Sequence, residues 1–178
     1  MKFVPLSIPG AFRIDPEPKE DERGFFARTF CRDTFGRHGI DFTPAQCSIS
    51  VNRARHTLRG MHYQTAPCPE IKLVRCTAGS IWDCLIDLRP DSPTFGQWTA
   101  EELSASNRRA LLIPELCAHG FLSLTADSEV LYMMSAPFAP ECARAVRWDD
   151  PAFGITWPAQ PEVMSEADRH HADVAKFT

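Results

Sequence analysis

The sequence has no run of lysines or arginines, and its 178 residues carry a formal net charge of −4. That excludes an extended nucleic-acid or anionic-membrane surface, while a local basic cleft for a phosphate stays open. No stretch approaches the roughly 18 apolar residues that a spanning helix needs. The opening MKFVPLSIPGAF has too short an apolar run, and a proline too early, for a secretory signal. There is no CxxC, and the seven cysteines (31, 47, 68, 76, 84, 117 and 142) are odd in number and scattered. A disulfide framework in a secreted chain favours even counts. Free thiols in a reducing cytoplasm are expected instead, most of them small buried apolar residues. Repeats, low-complexity tracts and linker-like shifts in composition are also missing, so residues 1–178 read as one domain of ordinary size.

Helix signals are scarce too. Asp33–His38 is one candidate and Ser165–Ala175 another, with Ser165 as cap and Asp168 in box position. What fills the chain is short apolar segments punctuated by 15 prolines. Strands are expected at Gly24–Phe30, Gln46–Val51, Ile71–Thr77, Ser80–Arg89, Ala110–Ile113, Gly120–Thr125 and Glu129–Ser135. In the fourth, Asp83, Leu85, Asp87 and Arg89 alternate with Trp82, Cys84, Ile86 and Leu88, giving one dry face and one wetter one. Many short strands at turn-marked intervals predict an all-β sandwich or barrel with a few short helices.

Polar heads recur inside these strands, most densely in TLRGMHYQ, residues 57–64. A polar side chain on a dry face is costly unless it is hydrogen-bonded or functional. Gln46, Arg59, His62, Gln64, Lys72, His119 and Tyr132 converge if their strands line one lumen. Such a mixture of acid, base and cation suits a polar, anionic ligand. Each has a plainer reading: a lone histidine is more often structural, Lys72 an exposed charge, Tyr132 a core ring. Gly60 tips the balance, because it lets the backbone pass closely between Arg59 and His62. His62, Glu70 and His119 also form a conceivable two-histidine, one-carboxylate iron site, although the usual pair of histidines one residue apart is missing.

The motifs DERGFF (21–26), QCSISVN (46–52), TLRGMHYQ, EIKLVRC (70–76), DLRPDSPTFGQW (87–98), IPELCAHGF (113–121), EVLYMMS (129–135), RWDDPAFGITWP (147–158) and MSEADR (164–169) run in collinear order. Together they resemble the dTDP-4-dehydrorhamnose 3,5-epimerase family. The resemblance implies a cupin-like β jelly roll, a homodimer with strand exchange, no cofactor and no metal. Its implied substrate is a nucleoside-diphosphate 4-keto-6-deoxyhexose, epimerised at C3, C5 or both through an enolate. By motif, His62 corresponds to the base and Asp168 to its carboxylate partner, with Asp83 as a possible substitute. Lys72 corresponds to the cation beside the keto oxygen and Tyr132 to the acid on the opposite face. Arg23, Gln46, Arg59 and His119 correspond to substrate contacts, some of them across the dimer.

The chain departs from the family pattern at several positions, three of them substrate-binding. Phe138 replaces a frequent tyrosine, keeping a stacking face and losing a hydroxyl. Arg28 stands where glutamate is frequent, Ser48 where asparagine is, and His56 where glycine precedes the threonine. Two other classes remain as alternatives at this point: a metal-dependent cupin enzyme using His62, Glu70 and His119, and a non-catalytic nucleotide-sugar binder.

Overall fold

Period-two alternation becomes two sheets in the computed structural model, which describes residues 1–174. The first sheet has six antiparallel strands in the order β1 (Lys2–Pro5), β2 (Phe12–Asp15), β10 (Ala110–Ile113), β7 (Lys72–Ala78), β12 (Ser128–Met134) and β5 (Gln46–Asn52). The second has five, in the order β13 (Ala143–Ala145), β6 (Leu58–Gln64), β11 (Cys117–Ser123), β8 (Ser80–Asp87) and β9 (Trp98–Ser104). A separate ribbon pairs β3 (Lys19–Asp21) with β4 (Gly24–Phe26). The sheets form a sandwich, as expected for an all-β chain.

Between the sheets, Val74, Leu111 and Val130 from the first meet Ile81, Leu85 and Phe121 from the second, all fully buried. The outer faces are covered as well. Helix α1 (Arg32–Arg37) brings Phe35, which joins Ile40 and Phe42 over Leu73 and Leu112 of the first sheet. Val146, Phe153 and Trp157 lie over Met61, Cys84 and Ile86 of the second.

This double covering corrects the expectation for β8. Both its faces are dry: Asp83 and Asp87, assigned to the wetter side, have no solvent exposure. They are tolerated because each is paired, Asp83 to His119 and Asp87 to Arg89. The thiol expectation holds in part: all seven cysteines are free, and four of them are buried.

Other boundaries moved for local reasons. The Gly24 strand ends at Phe26 because the ribbon is exposed and gains no second partner. β9 was not anticipated, since Glu101 and Glu102 break its apolar pattern; it is the last strand of its sheet, where charges are tolerated. The N-terminal strands β1 and β2, the ribbon strand β3 and the short β13 were missed too. At the C-terminal end, Ser165 caps helix α2 (Glu166–Arg169) by accepting the Asp168 N–H at 3.1 Å. The helix stops after one turn instead of continuing, and His170–Val174 is not α-helical. That stretch offers no apolar stripe to bury. Ala175, the last residue of the expected helix, lies outside the described residues.

Candidate active site

Strict alternation along β6 would send Arg59 and His62, three residues apart, to opposite faces. Instead both are exposed while Gly60 and Met61 between them are buried. The cause is a slip in register. Gly60 has φ +140° and lies against Gly120, where an added Cβ would sit 2.5 Å from the Gly120 Cα. The pairing of β6 with β11 shifts between His119 and Phe121. The extra residue resets the alternation, so Arg59 and His62 both turn toward one cavity.

That cavity, about 850 Å³, is lined by residues of both sheets. β6 and β11 supply Arg59, His62 and His119 from one side; β7, β12 and β5 supply Lys72, Tyr132 and Ser48 from the other. Phe138 stands at the edge, 63% exposed.

The His62 ring is half exposed, and its Nε2 lies 2.7 Å from Oδ1 of buried Asp168. Burial pushes the Asp168 carboxyl up, but His62, with Ser165 and His171 adding to it, outweighs that and holds the group below the usual range. An ionised Asp168 accepts the Nε2–H and leaves Nδ1, which has no protein partner among the described residues, as the proton-accepting nitrogen. Asp168 arrives on a segment clamped to the start of the same strand. The Leu58 N–H donates to the Val163 carbonyl at 2.9 Å, and His56 pairs with Glu162 at 2.8 Å.

Lys72 Nζ donates to the His62 carbonyl at 3.0 Å and pairs with Glu70 at 3.2 Å. The His119 Nε2 pairs with Asp83 Oδ1 at 2.5 Å, while Asp83 Oδ2 is buried without a hydrogen-bond partner among the described residues. Burial raises the Asp83 carboxyl, and His119 offsets that only in part. The Tyr132 ring meets His119 edge-on, with centroids 5.9 Å apart. Burial, with the Asp83 charge adding to it, pushes the Tyr132 phenol well above its ordinary range, so it stays protonated near neutral pH.

Gln46 does not line the cavity. Its Oε1 accepts the Phe138 N–H at 3.0 Å and so fixes the loop that presents the ring. Gln64 braces the same loop: its Oε1 accepts from Ala139 N–H at 2.6 Å and its Nε2 donates to the Cys68 and Pro137 carbonyls. Arg59 is held by Asn52 Oδ1 at 2.8 Å.

His62, Lys72, Tyr132, Asp168, Ser48, Arg59, His119 and Phe138 thus meet in one cavity. Arg23 and Arg28 do not. Arg23 pairs with Asp21 on the exposed ribbon, and Arg28 lines a separate depression with Met1, Glu17 and Phe26. Asp83 is engaged by His119 and is not the partner of His62. The His62, Glu70 and His119 metal set is not assembled, because Glu70 faces Lys72 and His119 faces Asp83. Several lining residues were overlooked in the sequence, among them Arg144 and His171, whose Nε2 is 3.4 Å from Asp168 Oδ1. The only signal for His171 was the histidine pair in DRHHAD, just after Asp168.

A family model described as dTDP-4-dehydrorhamnose 3,5-epimerase matches residues 5–176. The chain is 42% identical over 173 residues to dTDP-4-dehydrorhamnose 3,5-epimerase from Pseudomonas aeruginosa, covering 95% of this chain and 93% of that one. Its backbone superposes on dTDP-4-dehydrorhamnose 3,5-epimerase from Elizabethkingia anophelis with a TM-score of 0.95 at 32% identity, over 99% and 97% of the two chains. A 3'-monoepimerase from Streptomyces bikiniensis, solved with dTDP-quinovose, gives a TM-score of 0.89 at 35% identity, over 96% and 87%. Agreement in sequence and backbone along almost the entire length places the chain in the dTDP-4-dehydrorhamnose 3,5-epimerase family.

Proposed function

We propose that the protein is an isomerase that inverts C3, C5 or both in a dTDP-linked 4-keto-6-deoxyhexose, without a metal or organic cofactor. The observation that carries this reading is the placement of His62 and Tyr132 on opposing sheets of one cavity, with His62 bonded to Asp168.

The 4-keto group acidifies the C–H bonds on its two neighbours. His62 Nδ1 takes the proton, and Asp168 steadies the imidazolium that forms. Negative charge gathers on the C4 oxygen, where the Lys72 ammonium stabilises it. Tyr132 returns a proton from the other sheet, hence to the other face of the planar enolate, and the centre inverts. A phenol held protonated by burial suits that donation. Arg59, whose fork is exposed at the cavity, suits the pyrophosphate. His119 and Ser48 add polar contacts, and the Phe138 ring offers the nucleobase a stacking face.

Arg23 and Arg28 belong to this scheme through a homodimer. The exposed β3–β4 ribbon, with Phe26 at 74% exposure, carries Arg23 and leads into Arg28, and it exchanges into the neighbouring subunit to serve that subunit's cavity. The seven free thiols fit a cytoplasmic protein.

The test is solvent exchange. Incubated in D2O with a dTDP-4-keto-6-deoxyglucose, the protein is expected to replace C3–H, C5–H or both by deuterium, read by NMR. His62→Ala should lower that rate by at least about 10²-fold. Unchanged exchange in the variant would remove His62 as the base. Binding without any exchange by the wild-type protein would make it a nucleotide-sugar binder.

A further inference from the structure

We infer that His62, Asp168 and His171 form a binding site for a borderline divalent metal ion, Zn²⁺ foremost, and that its occupancy shuts off the base. The second half of this inference rests on the function proposed above; the first half does not.

Asp168 Oδ1 stands between two imidazoles, 2.7 Å from His62 Nε2 and 3.4 Å from His171 Nε2. One ligand atom from each of the three residues lies within 4.8 Å of the other two. Zn²⁺ binds imidazole nitrogen and carboxylate oxygen at about 2.0–2.2 Å, so neighbouring ligands of a tetrahedral ion sit roughly 3.3 Å apart. The observed spacings bracket that value, and small ring rotations would close the set. His171 Nε2 is buried and lacks a well-formed hydrogen bond among the described residues, so it can serve as a ligand. Two imidazoles and one carboxylate, with a fourth position open to the cavity, match the donor set of open zinc sites. Mg²⁺, which prefers oxygen ligands, is poorly served by it.

Inhibition follows from the tautomer. In the working state the Nε2 proton points to Asp168 and Nδ1 is free to accept. A neutral imidazole bound to metal through Nε2 must carry its proton on Nδ1. No proton is lost; it only changes nitrogen, and the nitrogen that should receive the sugar proton is already occupied. Asp168, now a ligand, no longer steadies an imidazolium.

Cys68, Glu141 and Cys142 form a second cluster that would also take Zn²⁺, so the experiment separates the two. Calorimetric titration of the intact protein with ZnCl2 in a non-chelating buffer is done for wild type, Cys68→Ser, His171→Ala and His171→Gln. A site that persists in Cys68→Ser and weakens at least about tenfold in both His171 variants is expected. Mg²⁺ should give no heat at that site. Binding of Co²⁺ should show no thiolate charge-transfer band in Cys68→Ser. Deuterium exchange into the sugar, run in parallel, should fall as Zn²⁺ is added and return with a chelator. His171→Ala should need at least about tenfold more Zn²⁺ for the same fractional loss. Zinc affinity that ignores both His171 variants and disappears in Cys68→Ser overturns the site. Saturation of the His171-dependent site with exchange undiminished overturns the inhibition. A metal-free protein with no exchange at all would instead count against the epimerase reading, while the isotherm would still report the site.

Discussion

Tyr132 and His62, the proposed acid and base, sit in opposite kinds of environment. The phenol is lifted by burial beside Asp83, while the imidazole is half exposed and tied to an ionised carboxylate. A phenol raised above its ordinary value of about 10 keeps its proton throughout the neutral range. The alkaline limb of the pH–rate profile between pH 7 and 10 is therefore expected to keep its shape in Tyr132→Phe. Proton removal should persist in that variant while inversion slows by about 10²-fold, measured by comparing deuterium wash-in with product formation. That these residues share one cavity was legible in the sequence, because their polar heads stand inside distinctive motifs. Gln46 was read as touching substrate, whereas the structure has it gripping the Phe138 backbone; composition does not distinguish a ligand from its support. His171 escaped notice because its proximity to Asp168 depends on where a one-turn helix ends.

At the scale of elements, β6 owes its use to a pair of glycines. Gly60→Ala would drive a methyl group into the Gly120 backbone at a φ that L-residues avoid. A loss of about 2–4 kcal/mol in urea unfolding is expected, together with misaligned Arg59 and His62. Just before this strand, His56 sits at φ +57°, a left-handed conformation that explains why glycine suits the position in the family. The His56 backbone accepts strain of about 1–2 kcal/mol, and its side chain gains a hydrogen bond with Glu162. At the end of β8, burial pushes Asp87 up, but bonds from Arg89, Ser92 and Thr94 outweigh it and hold its carboxyl well below the usual range. A depressed folded value means that Asp87 stabilises the protein above the unfolded carboxylate pKa, about 3.9, and loses that contribution as pH falls below it. Asp87→Asn should cost about 2–4 kcal/mol at pH 7 and progressively less toward pH 3, in urea melts across that range. The turn chemistry of RPDSPTFG was visible in the sequence; that its hydroxyls cap a buried carboxylate was not.

For the whole molecule, the sandwich was legible because period-two patterning and proline punctuation survive in most strands. The ladder order was not, since pairings such as β10 with β2 and β13 with β6 join segments far apart in the chain and depend on packing. The ribbon carrying Arg23 is the part least explained by one chain, which is why a dimer is proposed. Sedimentation should give a dimer, and removing residues 19–26 should give a monomer with at least about tenfold weaker dTDP binding; a wild-type monomer at micromolar concentration would refute the exchange. The segment that delivers Asp168 has a further consequence. Base and carboxylate are 106 residues apart in the chain, and Ser48, Arg59, Lys72, His119, Tyr132 and Phe138 all precede the carboxylate segment. A polypeptide leaving the ribosome therefore holds its imidazole, cation and phenol well before the group that sets the imidazole's tautomer emerges. On the proposed mechanism, chemistry is the last property the nascent protein acquires, and a chain ending before Asp168 is expected to bind a dTDP-sugar without exchanging its protons.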